Sequence, residues 1–305
     1  MIRNSITGKD GKSISIVEWA EVESPKAIIQ IAHGMAEHAM RYDGFAKDMN
    51  KLGIIVVADD HRAHGKTDNE TLGYSKGNIW EDTLSDMAIL CDYAKEKYCK
   101  AQGENLPVIL FGHSYGSFLS QAFIRRFNDK LAGAILGGSN YFKGPIVGVG
   151  KIAAKIGCIF KGEEKPNTFL KKASFDVYNK NFTEGTFISS IVEQCERYKQ
   201  DPECGFVCSS NFYYNFFKGV SKLYKKEGQS LANFNILLIA GDKDPVGNMG
   251  KGVLALNEWY KKQGAKVNAI LYEGVRHEYL NDTSAEQSRK DIASFVLGFS
   301  KLNRR

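Results

Sequence analysis

Short apolar runs of strand length alternate along this chain with longer stretches whose apolar residues recur at helical spacing, and that alternation restricts the fold most. It predicts a βα-repeating, mostly parallel sheet. Strands are expected at Ser13–Trp19, Ala27–Ala32, Ile54–Ala58, Pro107–Phe111, Leu131–Leu136, Asn235–Ala240 and Lys266–Tyr272. Helices are expected at Tyr42–Leu52, Ile79–Tyr98, Phe118–Phe127, Val253–Lys262 and Ala285–Phe299. In the second of these, Ile79, Leu84, Met87, Leu90, Cys91 and Ala94 share one face. Between Asn140 and Glu227 the alternation stops. Ile146–Phe160, Phe187–Tyr198 and Phe212–Tyr224 carry helical stripes with no parallel-type strand among them. The expected organisation is an α/β core from residues 1–139 and 228–305 with a helical cap, residues 140–227, inserted into it. A chain of 305 residues can bury about three quarters of its unfolded surface, enough for one such domain.

Composition excludes several classes. No window approaches the ~18 apolar residues that cross a bilayer. The polar stretch Met1–Gly11 lacks a secretory core, so a cytoplasmic location is expected. Six cysteines then read as reduced thiols rather than a disulfide framework. Cys195, Cys204 and Cys208 invite a zinc reading, yet no histidine lies within sixty residues of them and the Cys-x-x-Cys spacing is missing. Neither a metal nor a cofactor is expected. The net charge is +6, and residues 140–227 hold 14 Lys and Arg against 9 Asp and Glu. These bases are scattered rather than striped, which argues against nucleic acid; a solvated helical face is one reading of them, and contact of the cap with an anionic membrane surface or lipid is the other.

The chemistry centres on Gly112-His113-Ser114-Tyr115-Gly116, placed between a strand and a helix. A serine on such a turn must adopt positive φ to project its hydroxyl above the sheet edge. Strand and helix then approach so closely that the positions two before and two after must lack side chains, hence Gly112 and Gly116. A serine hydroxyl needs a neighbouring base to become a nucleophile. Beyond the elbow itself only one of the six histidines follows Ser114 in the chain, His277, in a loop between the last strand and last helix. The acid partner belongs just past the Asn235–Ala240 strand. Asp244 is preferred, because the chain can turn after Gly241 before presenting it; Asp242, the alternative, is better placed to shape the turn. Two donors should face the developing oxyanion: the backbone N–H of Tyr115 and, from the loop after Ala27–Ala32, that of Met35.

These segments together resemble the α/β-hydrolases of the monoacylglycerol lipase and lysophospholipase group. His33-Gly34-Met35-Ala36-Glu37-His38, continuing through Arg41-Tyr42, resembles their oxyanion loop. Asp60-His61-Arg62-Ala63-His64-Gly65-Lys66-Thr67 resembles their Asp-x-x-Gly-His-Gly-x-Ser stretch, with Ala63 for a glycine and Thr67 for serine. The resemblance spans about residues 10–139 and 228–300. It implies the α/β-hydrolase fold, a triad of Ser114, Asp244 and His277, an oxyanion hole from Met35 and Tyr115, and a structural role for the Asp60–Thr67 loop. The implied activity is hydrolysis of a small-molecule carboxylic ester, such as a monoacylglycerol, a lysophospholipid or a smaller acyl ester. Peptides or thioesters are the alternative substrates of the same triad, and a ligand-binding protein without turnover is the alternative class.

No substrate signature is recognisable in residues 140–227. Phe212, Tyr213, Tyr214, Phe216 and Phe217 form an aromatic patch there at helical spacing. Packing of cap on core is one reading. An apolar wall for an acyl chain, built by Phe212, Tyr213, Phe216 and Phe217, is the other.

Overall fold

Four strands are buried at every residue, and such strands settle in the middle of a sheet covered on both faces. In a computed structural model, which describes residues 1–99, 105–225 and 227–302, they do so. The sheet has eight strands in the order β1-β2-β4-β3-β5-β6-β7-β8. They are β1 (Ile2–Thr7), β2 (Ser13–Trp19), β3 (Ala27–Ala32), β4 (Ile54–Asp59), β5 (Val108–His113), β6 (Gly133–Gly137), β7 (Asn235–Gly241) and β8 (Lys266–Tyr272). β1 pairs antiparallel with β2, and β2 antiparallel with β4. All other neighbours are parallel, with Gly112 of β5 level with Ala32 of β3 and Leu136 of β6.

Apolar helix faces cover both sides. On one, α1 (Asp43–Lys51) and the last helix, α10 (Ala285–Leu302), bring Phe45, Met49, Ile292 and Val296 onto Ile29, Ile31, Val56 and Phe111. On the other, α2 (Ile79–Ala94) and α3 (Tyr115–Phe127) bring Met87, Leu90, Leu119 and Phe123 onto Ile28, Val57 and Leu110. Beside them α9 (Lys251–Lys262) packs Leu256 and Tyr260 on Leu136 and Leu238. This is the expected α/β-hydrolase layout.

Between β6 and β7 lie α4 (Pro145–Lys161), α5 (Thr168–Lys171), α6 (Val177–Asn179), α7 (Val192–Gln200) and α8 (Ser210–Val220). Among the described residues the only β pairing in this stretch is an isolated bridge, Pro166 with Ser209. Two close approaches seat it. A Cβ on Gly150 of α4 would fall 2.5 Å from the Phe217 ring, and one on Gly219 of α8 would fall 2.2 Å from the Trp80 ring of α2. Such contacts need hydrogen in place of a side chain.

Several elements depart from expectation; among them, the helix expected at Phe212–Tyr224 runs over Ser210–Val220. β1 was not foreseen; it is an edge strand whose residues are exposed except Ile6, so burial left no run to read. α3 starts at Tyr115 rather than Phe118, directly behind Ser114. α2 closes at Ala94, and the chain continues in a wider turn over Lys95–Cys99. Phe187–Tyr198 is not one helix. The Phe187 and Ile188 carbonyls accept from the backbone N–H of His277 (3.1 Å) and Glu278 (2.7 Å), holding that part extended, and α7 begins only at Val192. Tertiary hydrogen bonding there overrides a helical pattern.

Candidate active site

β5 delivers Ser114 to the carboxyl edge of the sheet in a left-handed conformation, φ 51° and ψ −118°. Such strain persists only where the surroundings fix it. The Ser114 N–H donates to the Gly137 carbonyl (2.9 Å), and its own carbonyl accepts from the N–H groups of Ser117 (2.9 Å) and Phe118 (3.2 Å) and from the Ser117 hydroxyl (2.6 Å). The flanking glycines are there for space. A Cβ on Gly116 would lie 1.9 Å from the Ala32 carbonyl oxygen, and one on Gly112 2.4 Å from the carbonyl oxygen of Gly116.

Beyond β7 the two candidate acids separate. Asp242 accepts from the N–H of Gly274 (2.8 Å) and ties the turn to the next loop. Asp244, with no exposed surface, accepts from the N–H of Val246 at one oxygen (2.8 Å) and faces His277 Nδ1 with the other (2.9 Å). Because a carboxylate only accepts, that ring nitrogen carries the proton and Nε2 is left free to take one. Burial of the His277 ring works against protonation. The charge and hydrogen bond of Asp244, with Glu278 and Glu37 nearby, outweigh it and raise the pKa above the usual histidine value. His113, its ring 4.8 Å away, goes the other way: burial first and then His277 hold it down at about 3, so it stays neutral.

Ser114 and His277 line one cavity of roughly 390 Å³, within the ~300–1,000 Å³ range of small-molecule sites. Met35 and Tyr115 line it too. Among the described residues, no protein group accepts from the backbone N–H of either. Their neighbours are engaged: the N–H of Gly34 donates to the Glu37 carboxylate and that of Ser114 to Gly137. Two residues of the cavity lining thus carry uncommitted backbone donors.

Most of the remaining wall is apolar, with Phe118 from the core and Phe142, Ile146, Val149, Leu170, Phe187, Tyr213, Phe216 and Phe217 from the stretch between β6 and β7. Of the four aromatic residues expected to form an acyl wall, Tyr213, Phe216 and Phe217 reach the cavity. Phe212 does not. It is 1% exposed, its ring 5.0 Å from Tyr115 and 5.5 Å from His64, so it is core packing.

No residue of the Asp60–Thr67 loop lines the cavity. Asp60 accepts from the N–H groups of Ala39 (2.9 Å) and Lys66 (3.0 Å) and from Arg3 of β1 (2.6 Å). His64 Nε2 accepts from the N–H of Ala36 (3.1 Å), whose φ is 56°, and burial holds this histidine down at about 3, as a permanent acceptor. His33 is depressed as well, by burial and then by His61 and His64, and accepts from the N–H of His61 (3.0 Å). These rings shape the Met35 loop from beneath.

Residue-by-residue reading missed one cluster. Arg41 donates to Glu37 (2.6 Å) and in a two-pronged pair to Glu278 (2.6 and 2.8 Å), while Tyr42 donates to Glu37 (3.0 Å). Glu37 and Glu278 both border the cavity. The available signal was that Glu37, Arg41 and Tyr42 lie within the motif around Met35, and that Glu278 follows His277.

Comparison with known proteins adds independent findings. The model of the Hydrolase_4 family, described as serine aminopeptidase, S33, matches residues 23–284. A Monkeypox virus protein named monoglyceride lipase homolog is 31% identical over 121 residues, a match covering 39% of this chain and 41% of that one. Monoacylglycerol lipase of Mycolicibacterium smegmatis is 23% identical over 304 residues, 96% of each chain. Among solved structures, a thermostable carboxyl esterase from Bacillus coagulans, crystallised with glycerol, superposes with a TM-score of 0.84 at 26% identity over 98% of both chains.

Proposed function

The chain belongs to the Hydrolase_4 family and is a carboxylic-ester hydrolase of the α/β-hydrolase fold, and on that premise we propose that Ser114, His277 and Asp244 are its catalytic triad and residues 140–227 the cap over its site. Ser114 Oγ attacks the ester carbonyl as His277 Nε2 takes its proton. The N–H groups of Met35 and Tyr115 receive the charge that builds on the carbonyl oxygen. His277 then returns the proton to the departing alcohol, and water releases the acid with the same histidine as base. Asp244 holds the tautomer and stabilises the imidazolium. The reading rests on one observation: a hydrogen-bonded Asp244–His277 pair opens onto the same cavity as the strained Ser114, with two unused backbone donors alongside.

The apolar wall supports a single-chain acyl ester, a monoacylglycerol, a lysophospholipid or a smaller ester, rather than a free peptide. An aminopeptidase has to recognise a cationic amino terminus. The carboxylates bordering this cavity, Glu37 and Glu278, are both committed to Arg41. A p-nitrophenyl ester series run beside aminoacyl substrates tests this, with rates expected to favour acyl esters. Fluorophosphonate labelling should disappear in Ser114→Ala; persistent labelling would remove Ser114 from the role.

One further observation supports contact with an anionic membrane surface. α4 turns Ile146, Val149, Ile152, Ile156, Ile159 and Phe160 to solvent, Phe160 being 81% exposed, with Lys155 and Lys161 also exposed on that helix. Ile146 and Val149 also line the cavity, so this face meets the cavity's wall. An apolar face edged with lysine is suited to the boundary between headgroups and acyl chains. No helix among the described residues is long and apolar enough to cross a membrane. Co-sedimentation with anionic and neutral vesicles is the test, with anionic vesicles favoured. The six free cysteines support a reducing compartment such as the cytoplasm.

A further inference from the structure

The loop carrying Met35 is tied to the α7–α8 connection at a second set of side chains. The Ala36 carbonyl accepts from the Tyr198 hydroxyl (2.8 Å) and the N–H of Gly205 (2.9 Å). Two residues on, the His38 side chain is 10% exposed, with Nε2 2.9 Å from Asp201 Oδ2. Asp201 to Cys204 is a tight turn: the N–H of Cys204 donates to the Asp201 carbonyl (3.0 Å) and that of Glu203 to the Asp201 side chain (2.9 Å). One ligand atom each from His38, Asp201 and Cys204 therefore falls within 4.8 Å of the others.

Hydrogen bonding leaves part of this cluster unexplained. His38 Nδ1 is buried without a hydrogen-bond partner, facing Glu203 Oε2 at 4.0 Å, too far for a hydrogen bond. Glu203 itself is held in place by an ion pair to Lys66. Cys204 itself is 8% exposed. Imidazole, thiolate and carboxylate together are a donor set for the zinc class of ions, which take three protein ligands and keep a fourth position open. Ligand atoms ~2.0–2.3 Å from a tetrahedral ion stand about 3.3–3.8 Å apart, so a cluster spanning 4.8 Å has to close by about an ångström.

We propose that His38, Asp201 and Cys204 form a binding site for a divalent cation of the zinc class, fastening the Met35 loop to the Tyr198–Gly205 turn. Binding breaks the Cys204 S–H bond, forms the sulfur–metal bond and releases the proton to solvent; no electron moves. The cation replaces the direct His38–Asp201 contact with two metal bonds. His38 reaches this cluster from 163 positions earlier in the chain than Asp201, which is why spacing around the cysteines gave no hint of it.

The full-length protein, stripped with chelator and titrated with Co²⁺, should develop a thiolate-to-cobalt charge-transfer band saturating at one equivalent. Zn²⁺ should displace it. Cys204→Ser should abolish the band, while Cys158→Ser, in a different part of the chain, should keep it. His38→Gln and Asp201→Asn should each weaken zinc at least tenfold by calorimetry, with circular dichroism confirming that the variants fold. Absence of the band, its survival in Cys204→Ser, or unchanged zinc affinity in both His38→Gln and Asp201→Asn would overturn the site. Ser114→Ala should bind cobalt like the parent chain, so the outcome is separate from the assignment of the triad.

Discussion

The sheet and the helices between β6 and β7 treat polarity in opposite ways. In the sheet region buried charges are matched: Arg62 meets Asp86 at 2.7 Å, and Arg41 bridges Glu37 and Glu278. In the inserted helices it is apolar residues that lie in the unusual place, with Ile146, Val149, Ile152, Ile156, Ile159, Phe160 and Phe169 facing solvent. Buried charges tolerate few arrangements, because a lone one costs several kcal/mol, so they fix geometry to fractions of an ångström. Exposed apolar side chains fix nothing by themselves; they mark a surface that meets something apolar. The same chain thus pairs a region fixed by matched buried charges with one that turns apolar side chains outward.

That contrast can be broken by experiment. Ser114→Ala should lower kcat on a p-nitrophenyl ester by about 10⁶ with the fold intact; a loss below tenfold would show the sheet region misread. Asp244→Asn should cost about 10⁴ in kcat. It should also move the acid limb of the pH profile. As the proposed base, His277 acts when neutral, so kcat/KM should rise with pH through its pKa, which in the parent lies above the usual ~6.5 because of Asp244. Without that charge burial prevails and the limb shifts to lower pH; an unmoved limb would argue against the pair. In denaturant unfolding, Phe212→Ala should cost about 3–5 kcal/mol, as for a buried aromatic. Phe160→Ala should stay within about 0.5 kcal/mol, and equal effects would erase the distinction between the two regions. Last, Ile152→Ser with Ile156→Ser should leave stability near the parent value and weaken anionic-vesicle binding about tenfold, from roughly 1.4 kcal/mol of lost apolar contact.

The parts of the fold legible in sequence were those where burial and period agree. Val and Ile runs such as Ile54–Asp59 can be read directly, since a central parallel strand is apolar on both faces. Gly112 to Gly116 was legible because the space there admits only glycine. β1 was not, because exposed edge residues carry no burial signal, although Gly8-Lys9-Asp10-Gly11 marks a turn before β2. Phe187 could not be read as extended, since its backbone partner is His277, far along the chain. Phe212 and Phe216 belong to one helical stripe, and only three dimensions divide the core residue from the cavity residue. The Arg41 bridge joins side chains 237 positions apart, a separation that local pattern does not span.

Arg3, on the exposed edge strand, reaches inward to Asp60, whose other acceptor contacts hold the backbone of Ala39 and Lys66. A chain shortened past its third residue would leave a carboxylate sealed in the interior without its cation, directly below the stretch that carries Met35. A cut on this edge strand, far from the serine, would therefore act through Asp60 on the backbone of Ala39 and Lys66.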